Sequence, residues 1–262
     1  MQNTQYISSK RFADLVLDIG TFLLASGAHC GRVSTNIRRL AETWGFNIHF
    51  QPTFKGLLVS VQNLNDKSDS ITLFREAPSH SVHLQVLTEV SHLTWKVYEE
   101  KLSIEDTERA FGKIKSMPHY NCWMVSLAVG LSCAGLCLFS LVDYLNAIIA
   151  FMGAFIGSVF RYRIAQMNFN PMIPITLAAF ATTSITGLGT IYNIGAYPEA
   201  AMATAVLYLI PGVPLINTVI DWIEGYLSSA VNRAMFAGLI LLSIAVGMTL
   251  CITMLGIDNF SL

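Results

Sequence analysis

The chain has 262 residues, of which 53% are hydrophobic and only 13% charged, about half the charge content usual for soluble domains. Its mean hydropathy is +0.52. With a net charge of −1 it offers no basic footprint for phosphates, and the composition excludes a wholly soluble enzyme, a disordered chain and a nucleic-acid binder.

The charges are unevenly placed. Residues 1–118 hold 13 of the 16 Lys and Arg and 12 of the 17 Asp and Glu. The remainder holds only Arg161, Arg163, Arg233, Asp143, Glu199, Asp221, Glu224 and Asp258. The expected organisation is an α+β cytoplasmic domain over 1–118, followed by an all-α polytopic membrane domain over 119–262. Lys10 and Arg11 are followed by Asp14 and Asp18 rather than an apolar run, so no signal peptide is expected.

In chain order, Phe12, Leu15, Val16, Ile19, Phe22 and Leu23 recur at helical spacing, with Gly27 as a stop. Val33, Ile37, Leu40 and Trp44 predict a second helix ended by Gly45. The period then becomes two: Phe46, Ile48 and Phe50 alternate with Asn47, His49 and Gln51, which predicts a half-buried strand. Residues 57–62 and 71–74 predict two more strands, joined by a polar hairpin loop over 63–70. A long helix is expected after Pro78, with Val82, Val86, Val90, Leu93 and Val97 on one face. Ser103, three residues before Asp106, predicts the cap of a last helix reaching Ile114.

The uncharged gaps in the second half predict spans near 122–141, 144–160, 171–190, 200–220 and 234–256, since about 20 apolar residues cross the hydrocarbon. Five is the expected number, with four or six compatible. Arg161, Arg163 and Arg233 fall on the side of the first domain in this topology. Asp143, Glu199 and Asp258 fall on the other, which puts the C-terminus outside. Cys133 and Cys137, at i and i+4, predict packing rather than redox chemistry. Gly153 and Gly157 predict close helix approach. His80 and His83 are placed on one helix face; no metal motif, cofactor or catalytic constellation emerges, and no enzyme is expected.

Span three carries Thr182, Thr183, Ser184 and Thr186, and span four carries Pro211-Gly212-Val213-Pro214 followed by Asn217 and Asp221. Two prolines around a glycine remove backbone donors inside the bilayer, a break tolerated only where protein or water meets it. A substrate site is expected from Thr182, Thr183, Ser184, Thr186, Pro211, Gly212, Pro214 and Asn217. Asp221 is expected as the coupling residue. The bland alternatives are hydroxyls bonded back to their own helix, a structural kink, and an acid that ends a helix at the headgroups.

The stretches VSLAVGLSCAGLC (125–137), LAAFATTSITG (177–187) and LYLIPGVPLINTVIDWIEGY (207–226), with FLLASGAHCGRV (22–33) and LTEVSH (87–92), resemble the threonine/serine exporter (ThrE) family. The likeness is nearest to the larger subunit of its split form, whose members include exporters of dicarboxylates such as succinate. The resemblance implies a bacterial inner-membrane secondary exporter of threonine, serine or a C4-dicarboxylate. It also implies a separate five-span companion subunit, and a higher oligomer is compatible with it. The alternative function is a membrane-anchored sensor whose soluble domain binds the ligand.

Overall fold

The computed structural model describes residues 7–78, 82–118, 120–141, 143–167 and 169–257. The chain divides into two compact units. One is Met1–Pro118 with Gly212–Met235; the other is His119–Pro211 with Phe236–Leu262.

The first unit opens with α1 (Ser9–Ala25) and α2 (Cys30–Trp44). Ser8 caps α1 by accepting the Arg11 N–H, and His29 does the same for α2 with Arg32. Between them the chain reverses at Gly27, whose φ of +96° is open to glycine at little cost. The strands β1 (Phe46–Thr53), β2 (Gly56–Asn63) and β3 (Ser70–Glu76) form an antiparallel sheet in that order, with Val59 opposite both Phe50 and Leu73. Leu57, Val59 and Val61 of the central strand are fully buried. They share one core with Phe12, Val16, Ile19 and Leu23 of α1. Phe12 also stacks on Phe46 with ring centroids 4.3 Å apart.

Helices α3 (Leu84–Glu100) and α4 (Ile104–Lys115) complete this layer. Ser103 caps α4 and donates to Asp106, as the sequence spacing predicts. Helix α3 starts later than expected. His83 is its cap, accepting the Val86 N–H, and Val82 lies before the helix with half its surface exposed. Val86, Val90, Leu93 and Val97 form the buried stripe. His80, expected to share a helix face with His83, lies outside the described residues.

In the second unit, α5 (Cys122–Leu141), α6 (Tyr144–Ala165) and α7 (Met172–Ile191) follow one another. Cys133 and Cys137 are both buried. Ser126 and Ser158 join α5 to α6 at 3.1 Å. At Gly153 a Cβ would come within 2.6 Å of the Thr186 methyl, and at Gly157 it would overlap the Thr182 hydroxyl. The absent side chains therefore set how closely α6 approaches α7. Asp143 caps α6 through the N–H groups of Leu145 and Asn146 and also accepts from Ala196 in the loop before α8 (Pro198–Val206).

Among the described residues, four helices are long and apolar enough to cross a membrane: Cys122–Phe139, Tyr144–Ala165, Met172–Ile191 and Leu227–Leu255. A bent pair, Pro198–Leu209 with Gly212–Ile223, counts as a fifth if taken as one span. The expected fourth span is thus α8, a 3-10 turn at Leu207–Leu209, and a separate α9 (Gly212–Ile223). Of the two prolines only Pro211 interrupts the helix. Pro214 is the third residue of α9, where a helix N–H has no internal acceptor and proline costs little. The last helix, α10 (Leu227–Leu255), begins seven residues before the expected span. It contains Arg233, which the charge pattern had assigned to a connecting loop. The residues after 257, including Asp258, lie outside the described residues.

Candidate functional site

Two of the segments singled out in the sequence meet inside the first unit. The reversal between α1 and α2 presents the carbonyls of Gly27 and Ala28 and the first N–H groups of α2. Facing them is one side of α9. Asn217, Asp221 and Glu224 are spaced i, i+4 and i+7 and therefore share that side.

Asn217 Nδ2 donates to the Gly27 carbonyl at 2.8 Å. The Cys30 N–H, at the start of α2, donates to Asp221 Oδ1 at 2.6 Å. Arg233 donates to the Ala28 carbonyl at 2.9 Å, and its Nε stands 2.8 Å from Asp221 Oδ2. That N–H is turned off the line of contact, so the attraction is ionic rather than a formed hydrogen bond. Ser229 donates to the Pro52 carbonyl at 3.0 Å, on the β1 side. Asp221 is 0% exposed and Arg233 3%. A carboxylate at a helix N-terminus is favoured by the helix dipole, and burial of the pair requires the additional hydrogen bonds seen here.

At the rim, His29 Nδ1 lies 3.2 Å from Glu224 Oε2 and also accepts the Arg32 N–H. One ring nitrogen cannot donate and accept at once, so the cap and a hydrogen bond to Glu224 through Nδ1 exclude one another. At Gly31 a Cβ would overlap the Glu224 carboxylate, so glycine is what admits this acid over the start of α2. His29, Asp221 and Glu224 hold their ligand atoms within 4.8 Å of one another. Asp221 is already committed to Cys30 and Arg233, and the guanidinium there opposes a metal cation. Burial, its main influence, pushes the Cys30 thiol up to about 11, so it is protonated and unreactive near neutrality.

The opposite side of α9 is apolar and outward: Ile216, Val219, Trp222 and Ile223 are 58–79% exposed. This helix buries its polar residues in protein and turns its apolar ones out, the reverse of a helix on a water-soluble domain.

Of the expected site residues, Gly212, Pro214, Asn217 and Asp221 belong to the first unit. Thr182, Thr183, Ser184, Thr186 and Pro211 belong to the second. In the latter, Thr186 donates to the Thr182 carbonyl at 3.0 Å and Ser184 to the Phe180 carbonyl at 2.8 Å, so both hydroxyls bond back to α7. Thr182 differs: its hydroxyl meets Tyr208 Oη of the 3-10 turn at 3.2 Å. The Thr183 hydroxyl is buried with no partner among the described residues, at a cost of about 1–3 kcal/mol unless a ligand or water meets it. A groove of about 690 Å³ runs beside the same turn, lined by Val129, Ser132, Cys133, Leu207 and Tyr208 among others. The sequence reading passed over Tyr208, Arg233 as the ion-pair partner, and the carbonyls of the 26–29 loop. The i, i+4 spacing of Asn217 and Asp221 was the one available signal.

The ThrE family model, described as a threonine/serine exporter, matches residues 14–255. The chain is 30% identical over 250 residues to the "Probable succinate transporter subunit YjjP" of Escherichia coli (strain K12), covering 94% of this chain and 95% of that protein. It is 28% identical, with the same coverage, to the protein of that name from Klebsiella aerogenes. It is 20% identical over 262 residues to the "Probable threonine/serine exporter" of Mycobacterium tuberculosis, covering 97% of this chain but 47% of that longer protein. No solved structure matches the chain.

Proposed function

The chain belongs to the threonine/serine exporter family, and we propose from this that it is one subunit of an inner-membrane secondary exporter for small carboxylate-bearing metabolites. Its apolar helices and its family make it a multi-pass membrane protein. The substrates in view are threonine or serine, and C4-dicarboxylates such as succinate, after the names of the relatives. The word "subunit" in the name of the E. coli relative supports a companion. So does the roughly double length of the M. tuberculosis relative. We take the companion to be a separate five-span membrane protein, and residues 1–118 to be cytoplasmic.

The observation that carries this reading is the helix interrupted at Pro211, with Asn217 and Asp221 beyond the break met by polypeptide instead of lipid. A plain anchor has no use for a broken, polar segment, whereas transporters build their working parts from such breaks. In the second unit, Thr182, Thr183 and Tyr208 beside Pro211 are the proposed contacts along the substrate path. A coupling role for Asp221 requires that its pair with Arg233 open during the cycle, since protonation of the carboxylate would remove the charge that Arg233 faces. The test is gradient-driven efflux of labelled succinate and threonine from liposomes holding the chain with its companion, against each alone. Flux that needs both proteins is expected. No flux of either solute above protein-free liposomes would overturn the proposal.

A further inference from the structure

A different constellation lies between α2 and α3 of the first unit. A pocket of about 280 Å³ is lined by His29, Arg32, Arg39, Ser91, Trp95 and Glu224, among others. Arg32 and Arg39 are seven residues apart, two helical turns, and so share one face of α2. Arg11, Arg75, Arg109 and Arg233 of this unit are each paired with a carboxylate. Arg32 and Arg39 are paired with none among the described residues. Neutral groups make their hydrogen bonds instead, and the Glu42 carboxylate, one turn further along α2, acts on Arg39 only through space and less than burial does. Arg32 donates to the Leu87 carbonyl at 2.9 Å and to the Ser91 hydroxyl at 3.2 Å. Arg39 donates to the Thr94 hydroxyl at 2.8 Å, and its guanidinium lies 3.7 Å above the Trp95 ring. Burial works against the Arg39 charge and lowers its pKa.

Two half-buried guanidiniums, hydrogen-bonded to neutral partners and walled by an aromatic face, are preorganised for an anion. The size of the pocket restricts that anion to a small molecule. The Glu224 carboxylate on its rim opposes a compact polyanion such as phosphate. We propose that this pocket binds the carboxylate of a small organic acid, with Arg32 and Arg39 as donors and Trp95 as its wall. The site is independent of export, because it requires only that the first unit be folded. Two sources share the chemistry, and Glu224 separates them. An α-amino acid would set its ammonium against Glu224, whereas the second carboxylate of a dicarboxylate would be repelled by it.

The test is titration calorimetry of the full chain in nanodiscs with succinate and with threonine. Binding of at least one probe is expected, weakened about tenfold or more in Arg32→Gln and in Arg39→Gln, the loss expected for one charge-assisted hydrogen bond. If Arg39→Gln does not fold, Arg39→Lys keeps the charge but loses the planar fork, and intermediate weakening is expected. Glu224→Gln should weaken threonine if the amino acid is the ligand and tighten succinate if the dicarboxylate is. No binding of either probe at millimolar concentration would overturn the proposal, as would affinity unchanged by the Arg32 and Arg39 substitutions. Efflux measured in parallel keeps the two readings apart. A chain that binds, but gives no efflux even with its companion in liposomes, upholds the pocket and refutes the exporter; efflux by the pair with no dependence of binding on these arginines does the reverse.

Discussion

Replacing Asp221 by Asn removes one charge from a pair that is almost wholly buried. The amide oxygen can still accept the Cys30 N–H, so the loss falls on Arg233. That guanidinium, 3% exposed, would keep the Ala28 carbonyl but have no counter-charge. Removing one member of a buried pair costs about 3–5 kcal/mol, and the retained hydrogen bond argues for about 3. At roughly 2–4 °C per kcal/mol for a unit of this size, the melting temperature should fall by about 6–12 °C. Arg233→Met should do similar harm by stranding Asp221. The double variant Asp221→Asn/Arg233→Met should recover most of the loss, with a coupling of about 2 kcal/mol, as expected for residues in contact. Intrinsic tryptophan fluorescence of the purified chain during heating reads this directly, since Trp44 packs against the core of the first unit. A single Asp221→Asn variant melting within about 1 °C of the parent would refute the reasoning. So would a double variant no more stable than the worse single.

At neutral pH the Cys30 thiol should react with maleimide far more slowly in the folded chain than in denaturant. Its folded value of about 11 exceeds the ordinary 9.0. The stability it contributes is therefore full below 9.0 and lost as pH rises towards about 11; rapid labelling at neutral pH would contradict this. Gly157→Val should force α6 from α7 and lower stability by about 1–3 kcal/mol, seen as a lower melting temperature; an unchanged value would deny the close approach. Asp143 is held below the usual carboxylate range, chiefly by the Ala196 N–H. Its contribution is present above the ordinary value of 3.8 and lost as pH falls through the depressed one. Asp143→Ala should therefore melt lower at neutral pH and lose less stability on acidification than the parent. Parallel curves would rule this out.

Much of the first unit was legible because its elements are buried on one side. Phe12, Val16, Ile19 and Leu23 announce the inner face of α1, and the alternation from Phe46 to Gln51 announces β1. The caps at Ser103 and Gly45 carry their own chemistry. Val82 misled because an apolar residue at the right spacing extends a helical pattern even where the helix has not begun. The break was legible from Pro211, but Pro214 suggested a larger rupture than exists, since proline in the first turn of a helix forfeits nothing. The junction on α9 was not legible. Its contacts join residues about 190 apart in sequence, and a helix with polar residues buried in protein and apolar ones outside has the same composition as a span. Arg233 misled for a related reason. A lone charge at the edge of an uncharged run reads as the end of a span, although its partner Asp221 lies twelve residues earlier.

The most direct test of the junction uses a thiol the chain already has. Cys30 and Ser229 are both fully or nearly fully buried, and Ser229 is the neighbour that most opposes the effect of burial on the Cys30 thiol. In Ser229→Cys, prolonged oxidation of native membranes at about pH 9, where a fraction of the buried Cys30 thiol ionises, should link position 30 to position 229 within one chain. Peptide mapping under non-reducing conditions would detect the link, and prior denaturation should abolish it. If the folded chain gives no such link, while the same oxidant joins the two positions freely once it is unfolded, the start of α10 does not lie against the α1–α2 loop.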